Sequence, residues 1–131
     1  MAGPNGAGKT TASKFLLPEV FHTNVFINAD EIATRINPLH VDAAAIQAGR
    51  IMLQEIDKSL SGKITFAIET TLATRYYLHL VKKAQATGYE VFLFFLYLPS
   101  PDMAKQRVAL RVSKGGHSIP VGVIERRYSQ G

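Results

Sequence analysis

The sequence predicts an α/β fold of the P-loop NTPase kind, a three-layer parallel sheet that lacks its first strand and its C-terminal part. Three observations predict it. The segment Gly3-Pro4-Asn5-Gly6-Ala7-Gly8-Lys9-Thr10 matches the pattern G-x-x-x-x-G-K-[ST]. Short apolar runs alternate with helical periodicities, and Gly and Pro fall between them as a βα succession requires. The carboxylates Asp30 and Glu69 each follow an apolar run, the place at the carboxyl end of a parallel strand where ligands bind.

The elements follow in order. After the glycine loop, Thr10 to Leu17 reads as a short helix stopped by Pro18, and Val25-Phe26-Ile27-Asn28 as a brief strand ending at Ala29-Asp30. Beyond Pro38, Asp42 is expected to cap a helix whose Ile46, Gly49, Leu53, Ile56 and Leu60 recur at three-and-four spacing as its buried stripe, with Gly62 just past its end. Ile64 to Ile68 is a second apolar strand, ending in Glu69-Thr70-Thr71, and Thr74 starts a helix that Gly88 closes. Glu90 to Leu98 is apolar at nearly every position, which suits a central parallel strand covered on both faces. Ser100 caps the next helix with Pro101 in its first turn, the Gly115-Gly116 pair ends it, and Pro120 opens a last helix. A P-loop is normally held between a buried strand and the helix after it, and only Met1 and Ala2 precede Gly3. The expectation is therefore a single P-loop domain over residues 1–131, truncated at both ends.

Composition narrows the function classes. Hydrophobic residues make up 47% of the 131 and charged residues 19%, values of an ordinary globular chain that exclude a disordered tail or a collagen-like array. The net charge of +5 is spread along the chain, which makes nucleic acid an unfavoured partner and fits a small anionic substrate. The absence of cysteine excludes disulfides, thiolate zinc sites and cysteine nucleophiles, and agrees with a cytoplasmic location. The longest apolar run, Val91 to Leu98, is well short of the roughly 20 residues that span a bilayer, and no signal sequence precedes the glycine loop, so the chain reads as soluble with no membrane partner.

The glycine loop carries the most specific chemistry. Its glycines let successive backbone N–H groups turn inward around a β-phosphate, and the helix that begins near Lys9 adds its positive end. Lys9 is placed to reach the β- and γ-phosphates, and the Thr10 hydroxyl to ligate Mg²⁺; Thr11 follows in the helix. A nucleoside triphosphate, ATP or GTP with Mg²⁺, is the ligand this pattern implies. Asp30 then has two functional readings, a base taking the proton of a hydroxyl that attacks the γ-phosphate, or a carboxylate holding Mg²⁺ through water. A third reading is a plain helix cap before Glu31. Glu69 is either a substrate contact or a loop carboxylate. Arg107 and Arg111 lie four apart on one helical face, followed by Gly115-Gly116-His117 and by Arg126-Arg127; such cations either close over a triphosphate as a lid or form a solvated basic face. His22, His40 and His79 have no metal-ligand spacing. Tyr76-Tyr77 beside Arg75 reads as half-buried core more readily than as a base-stacking platform.

Taken together, Ala2 to Thr11, Asn28-Ala29-Asp30, Glu69-Thr70-Thr71, the stretch from Arg111 through Gly115-Gly116-His117 to Pro120, and Arg126-Arg127-Tyr128 resemble the zeta-toxin family of P-loop kinases, in particular its chromosomal zeta-like branch. The resemblance covers essentially the whole chain. It implies a kinase that takes ATP in the P-loop and uses the aspartate after the second strand to activate a hydroxyl acceptor, a UDP-amino-sugar in the toxins themselves. By that pattern Asp30 is the base, Glu69 and Thr71 hold the acceptor, Lys9, Arg111 and Arg126 serve the phosphates, and an antitoxin-like protein is a partner. The toxins carry an arginine two residues beyond the threonine that matches Thr71, where this chain has Ala73, so the acceptor stays open.

Three rival readings remain. An ABC-type ATPase shares the glycine-loop wording but requires Leu-Ser-Gly-Gly-Gln, and here Leu60-Ser61-Gly62 is followed by Lys63. A nucleotide-binding module without transferase activity would keep the loop and lose the chemistry. A polynucleotide kinase would show acceptor binding that weakens steeply with salt.

Overall fold

The computed structural model describes residues 1–131. It is a mixed α/β structure, mostly helical, whose one sheet has two short parallel strands. The elements are α1 (Lys9–Phe21), β1 (Phe26–Ile27), α2 (Ala29–Ile36), α3 (Val41–Ser61), β2 (Ala67–Ile68), α4 (Tyr76–Ala86), α5 (Pro101–Ser113) and α6 (Val121–Gln130). They fall into two compact units, one made of Met1–Ala12 with Thr70–Gly131, the other of Ser13–Glu69.

The Ser13–Glu69 unit is built on β1, β2, α2 and α3. Ala67 N–H donates to the Val25 carbonyl at 2.8 Å and Glu69 N–H to the Ile27 carbonyl at 3.1 Å, which sets the parallel register Phe26 to Ala67 and Ile27 to Ile68. Thr23 ties the strand starts together, its hydroxyl donating to the Thr65 carbonyl at 2.8 Å and accepting from Val25 N–H at 3.2 Å. Helix α3 packs against α2 and β1. Its buried residues are Ala44, Ala48, Met52, Ile56, Ser59 and Leu60. This corrects the expected stripe: Ile46 is 75% exposed and Leu53 also faces out. Small alanines at Ala44 and Ala48 let α3 approach its neighbours closely, an economy that a search for large apolar residues overlooks. Asp42 lies in the first turn of α3, and His40 is the cap residue, without a side-chain cap bond. Helix α1 also departs from expectation, running past Pro18 to Phe21. Lys14 and Pro18 are both exposed, so solvent is within reach of the carbonyl that loses its donor at Pro18.

In the other unit a core of Ala7, Leu98, Ala104, Val108, Ile119 and Ile124 is wrapped by α5 and α6, with Leu96, Met103, Val123 and Tyr128 packed around it. Ser100 caps α5 as expected, its Oγ accepting from Met103 N–H at 3.2 Å. Ala2 is fully buried and bridges Thr70 and Phe95 in parallel. Its N–H donates to the Phe94 carbonyl at 2.7 Å and its carbonyl accepts from Leu96 N–H at 2.8 Å, while Thr70 N–H donates to the Met1 carbonyl at 3.0 Å. The segment from Glu90 to Leu98 is where the expectation of a central strand fails: Phe95 forms a bridge and no continuous strand is present. Phe92, Leu93, Phe95 and Tyr97 are exposed, Tyr97 at 72%. A strand becomes central when ladders run along both edges and both faces are covered. Here Ala2 gives the segment a bridge of one residue, and burial is complete only at Leu98.

Candidate functional site

The glycine loop is shaped by its backbone. Gly3 has φ +136°, and a Cβ there would run into the Leu96 carbonyl. Gly6 has φ +80°, and a Cβ would lie 3.0 Å from Arg107 Cβ and 3.1 Å from the Ala104 carbonyl oxygen of α5. The loop is thus seated on α5 with no room for side chains at these two positions. Ala7 anchors it in the core, and Ala7 N–H closes a turn on the Pro4 carbonyl at 3.2 Å.

Lys9 is the first residue of α1 and is buried. Its ammonium donates to the Pro4 carbonyl at 3.0 Å, which folds the side chain back along the loop. A buried cation at a helix N-terminus, bonded to a neutral carbonyl, is a strong local positive charge and suits an anion. Asn5, 6% exposed, seals its Oδ1 from solvent without a hydrogen-bond donor. A buried carbonyl oxygen in that state costs stability, and such costs concentrate where a ligand is expected. The loop therefore fits a nucleotide's phosphates through three features: glycines at positive φ, a helix start and a held lysine. Thr10, half-buried in the first turn of α1, is the hydroxyl that would ligate Mg²⁺, and Thr11 beside it is exposed.

Of the arginines in this unit, Arg107 reaches the loop, its Nη1 lying 3.5 Å from the Gly6 carbonyl oxygen. Arg111 Nη2 donates to the His117 carbonyl at 2.9 Å, and the Arg111 carbonyl accepts from Gly116 N–H at 2.9 Å, so this residue holds the Gly115-Gly116-His117 turn. Arg126 is exposed on α6. Thr71 is half-buried next to a turn in which Leu72 N–H donates to Thr70 Oγ1 at 2.9 Å.

In the Ser13–Glu69 unit Asn28 links the Glu69 carboxylate to the backbone of Asp30. Asn28 ends the β1 segment and caps α2, its Oδ1 accepting from Asp30 N–H at 2.8 Å and Glu31 N–H at 3.5 Å. Its Nδ2 donates to Glu69 Oε2 at 2.9 Å. Asp30 sits in the first turn of α2 with its side chain exposed, so the cap reading of Asp30 is wrong and Asn28 is the cap. An acidic residue in a helix's first turn is favoured by the helix dipole.

Comparison with known proteins fits this geometry. The family model described as zeta toxin matches residues 1–130. The chain belongs to the zeta toxin family. An uncharacterized protein of Haemophilus influenzae is 31% identical over 126 residues, which cover 96% of this chain and 88% of that protein. No solved structure matches the chain. Membership in the zeta toxin family implies the P-loop fold and nucleotide binding. No helix is long and apolar enough to cross a membrane. Two residues of interest were missed or underrated from the sequence. For Asn28, Asp30 drew the attention although Asn is an equally good cap. For Arg107, its spacing from Arg111 was visible, but not which of the two faces the loop.

Proposed function

We propose that this zeta toxin family member is a small-molecule kinase that transfers the γ-phosphoryl group of ATP or GTP to a hydroxyl acceptor, a UDP-amino-sugar being the acceptor to test first. The observation that carries the reading is the loop Gly3 to Thr10 with its buried Lys9 ammonium held against the Pro4 carbonyl. In this reading residues 1–131 are one kinase domain of the P-loop type, acting in the cytoplasm where ATP is abundant, with an antitoxin-like protein as partner.

The reaction follows from named groups. The acceptor's hydroxyl oxygen forms a bond to the γ-phosphorus as the bond from that phosphorus to the oxygen of the departing nucleoside diphosphate breaks in line. Asp30 takes the hydroxyl proton. Lys9, with Arg111 and Arg126, balances charge on the phosphoryl oxygens, and Glu69 and Thr71 orient the acceptor by hydrogen bonds to its polar groups. The Thr10 hydroxyl would help hold Mg²⁺, which would supply further neutralisation of phosphate charge.

The test is product analysis by mass spectrometry after incubation with ATP, Mg²⁺ and UDP-N-acetylglucosamine. A phosphorylated sugar nucleotide is expected, and it should vanish in Lys9→Met. Asp30→Asn should lower transfer by about 10²–10⁴-fold while leaving ATP affinity nearly intact; loss of ATP binding instead would assign Asp30 to the metal. One observation favours a second reading, a nucleotide-binding module without transfer: the exposed apolar run Phe92, Leu93, Phe95 and Tyr97 is a surface suited to another protein. ATP binding with no transfer to any hydroxyl acceptor would decide for that reading.

A further inference from the structure

The register of the two-stranded sheet makes Asn28 and Glu69 the next in-register pair after Ile27 and Ile68. In-register residues of neighbouring parallel strands project from the same face, so the two side chains are brought together by the backbone. Asn28 is 6% exposed and its amide is used at both ends: the carbonyl oxygen serves the α2 N-terminus, and the amino group serves Glu69. Capping alone does not explain this residue type. Asp and Ser cap as well as Asn does, but an ionised Asp has no donor for a carboxylate. Asn combines a cap acceptor with an amino group reaching the next strand.

We infer that Asn28 is a positioning residue for the acceptor side of the reaction. It joins the Glu69 carboxylate and the backbone of Asp30 into one hydrogen-bonded unit, so that the direction of the Glu69 oxygens and the start of the helix carrying Asp30 are set together. The ligand class this serves is a polyhydroxylated acceptor, one of whose hydroxyls donates to Glu69 while another faces Asp30. The inference rests on the kinase reading and adds to it the residue that orients the Glu69 carboxylate and fixes the backbone that carries Asp30.

The experiment uses the full chain in four forms: wild type, Asn28→Asp, Glu69→Gln and the double variant. Melting temperatures without ligand come first. Asn28→Asp keeps the cap but sets a carboxylate against Glu69, so it should melt lower than wild type. Adding Glu69→Gln restores the bond with donor and acceptor exchanged, and should recover most of that loss. Steady-state kinetics with ATP and UDP-N-acetylglucosamine come second. Asn28→Asp should leave the KM for ATP within about twofold and lower kcat/KM for the sugar nucleotide by about tenfold or more. A purely structural role would move both substrates alike.

Additive melting shifts in the double variant, or unchanged sugar-nucleotide kinetics in Asn28→Asp against an active wild type, would overturn the inference while leaving the kinase reading standing. A wild type that binds ATP but transfers phosphate to no hydroxyl acceptor, nucleotide sugars included, would overturn the kinase reading, and this inference with it. The melting cycle would still show whether Asn28 and Glu69 are coupled.

Discussion

The glycine loop and the Asn28–Glu69 cluster solve the same kind of problem by different means. In the loop the backbone does most of the holding: Gly3 and Gly6 at positive φ, the Ala7 turn onto the Pro4 carbonyl, and the Lys9 ammonium on that same carbonyl. In the cluster the side chains do it: Asn28 to Asp30, Glu31 and Glu69, and Thr23 to Val25 and Thr65. A backbone-built site admits few residue types at each position, since only glycine tolerates the conformation. A side-chain-built site tolerates any residue with the right donors and acceptors at the right reach, and so leaves a fainter mark.

The largest effect should come from breaking the backbone-built half. Gly3→Ala places a methyl group against the Leu96 carbonyl at φ +136°, where both the conformation and the contact are unfavourable. A loss of about 3 kcal/mol or more in denaturant unfolding is expected. A loss under about 1 kcal/mol would mean that the loop is free to relax, and the contrast between the two halves would weaken.

A smaller cost is expected in the side-chain-built half. Thr23→Val keeps shape and removes the hydroxyl that serves both the Thr65 carbonyl and Val25 N–H. Thr65 and Val25 are exposed enough for water to replace part of the loss, so about 1–2 kcal/mol is expected by the same unfolding measurement. Asn5→Ala should then change sign. It removes a sealed, unsatisfied carbonyl oxygen and should stabilise the ligand-free protein by about 1 kcal/mol in the same unfolding measurement. A destabilised Asn5→Ala would make Asn5 a packing residue.

The same contrast explains what was legible in the sequence. Gly3, Gly6, Gly8, Lys9 and Thr10 announce the loop because its function dictates their types and spacing. Asn28 and Glu69 are 41 positions apart, and nothing in composition or periodicity says that they meet; the register Ile27 to Ile68 does. Helices α5 and α6 were legible from Ser100, Pro101, Gly115 and Pro120, local punctuation with local causes. The buried stripe of α3 and the fate of residues 90–98 were not, because both depend on what lies against them. Ala44 and Ala48 are buried, and Phe92 and Tyr97 are exposed.

The smallest effect should lie where neither half is at stake. Lys105 on α5 bridges Asp102 at 2.7 Å and Glu125 of α6 at 2.9 Å. Its hydrogen bonds to Asp102 and Glu125 push its pKa up to about 12 from 10.5. A cation whose folded pKa is raised contributes stability that is fully present below the unfolded value and disappears as pH rises through the folded one. While Asp102 and Glu125 are ionised, the advantage of wild type over Lys105→Met should therefore be constant up to about pH 10 and fade by about pH 12. Tyr128, whose hydroxyl donates to the Leu98 carbonyl and whose pKa is raised by burial, also withdraws stability as pH rises. It does so in both proteins, so the difference between their melting curves isolates Lys105. The bridge is surface-exposed and should be screened by salt, giving a shift below those of Gly3, Thr23 and Asn5 that shrinks further at high ionic strength. A Lys105→Met effect equal to that of Thr23→Val, and insensitive to salt, would mean that α6 is held to α5 by this ion pair more than by Val108 and Ile124 in the core.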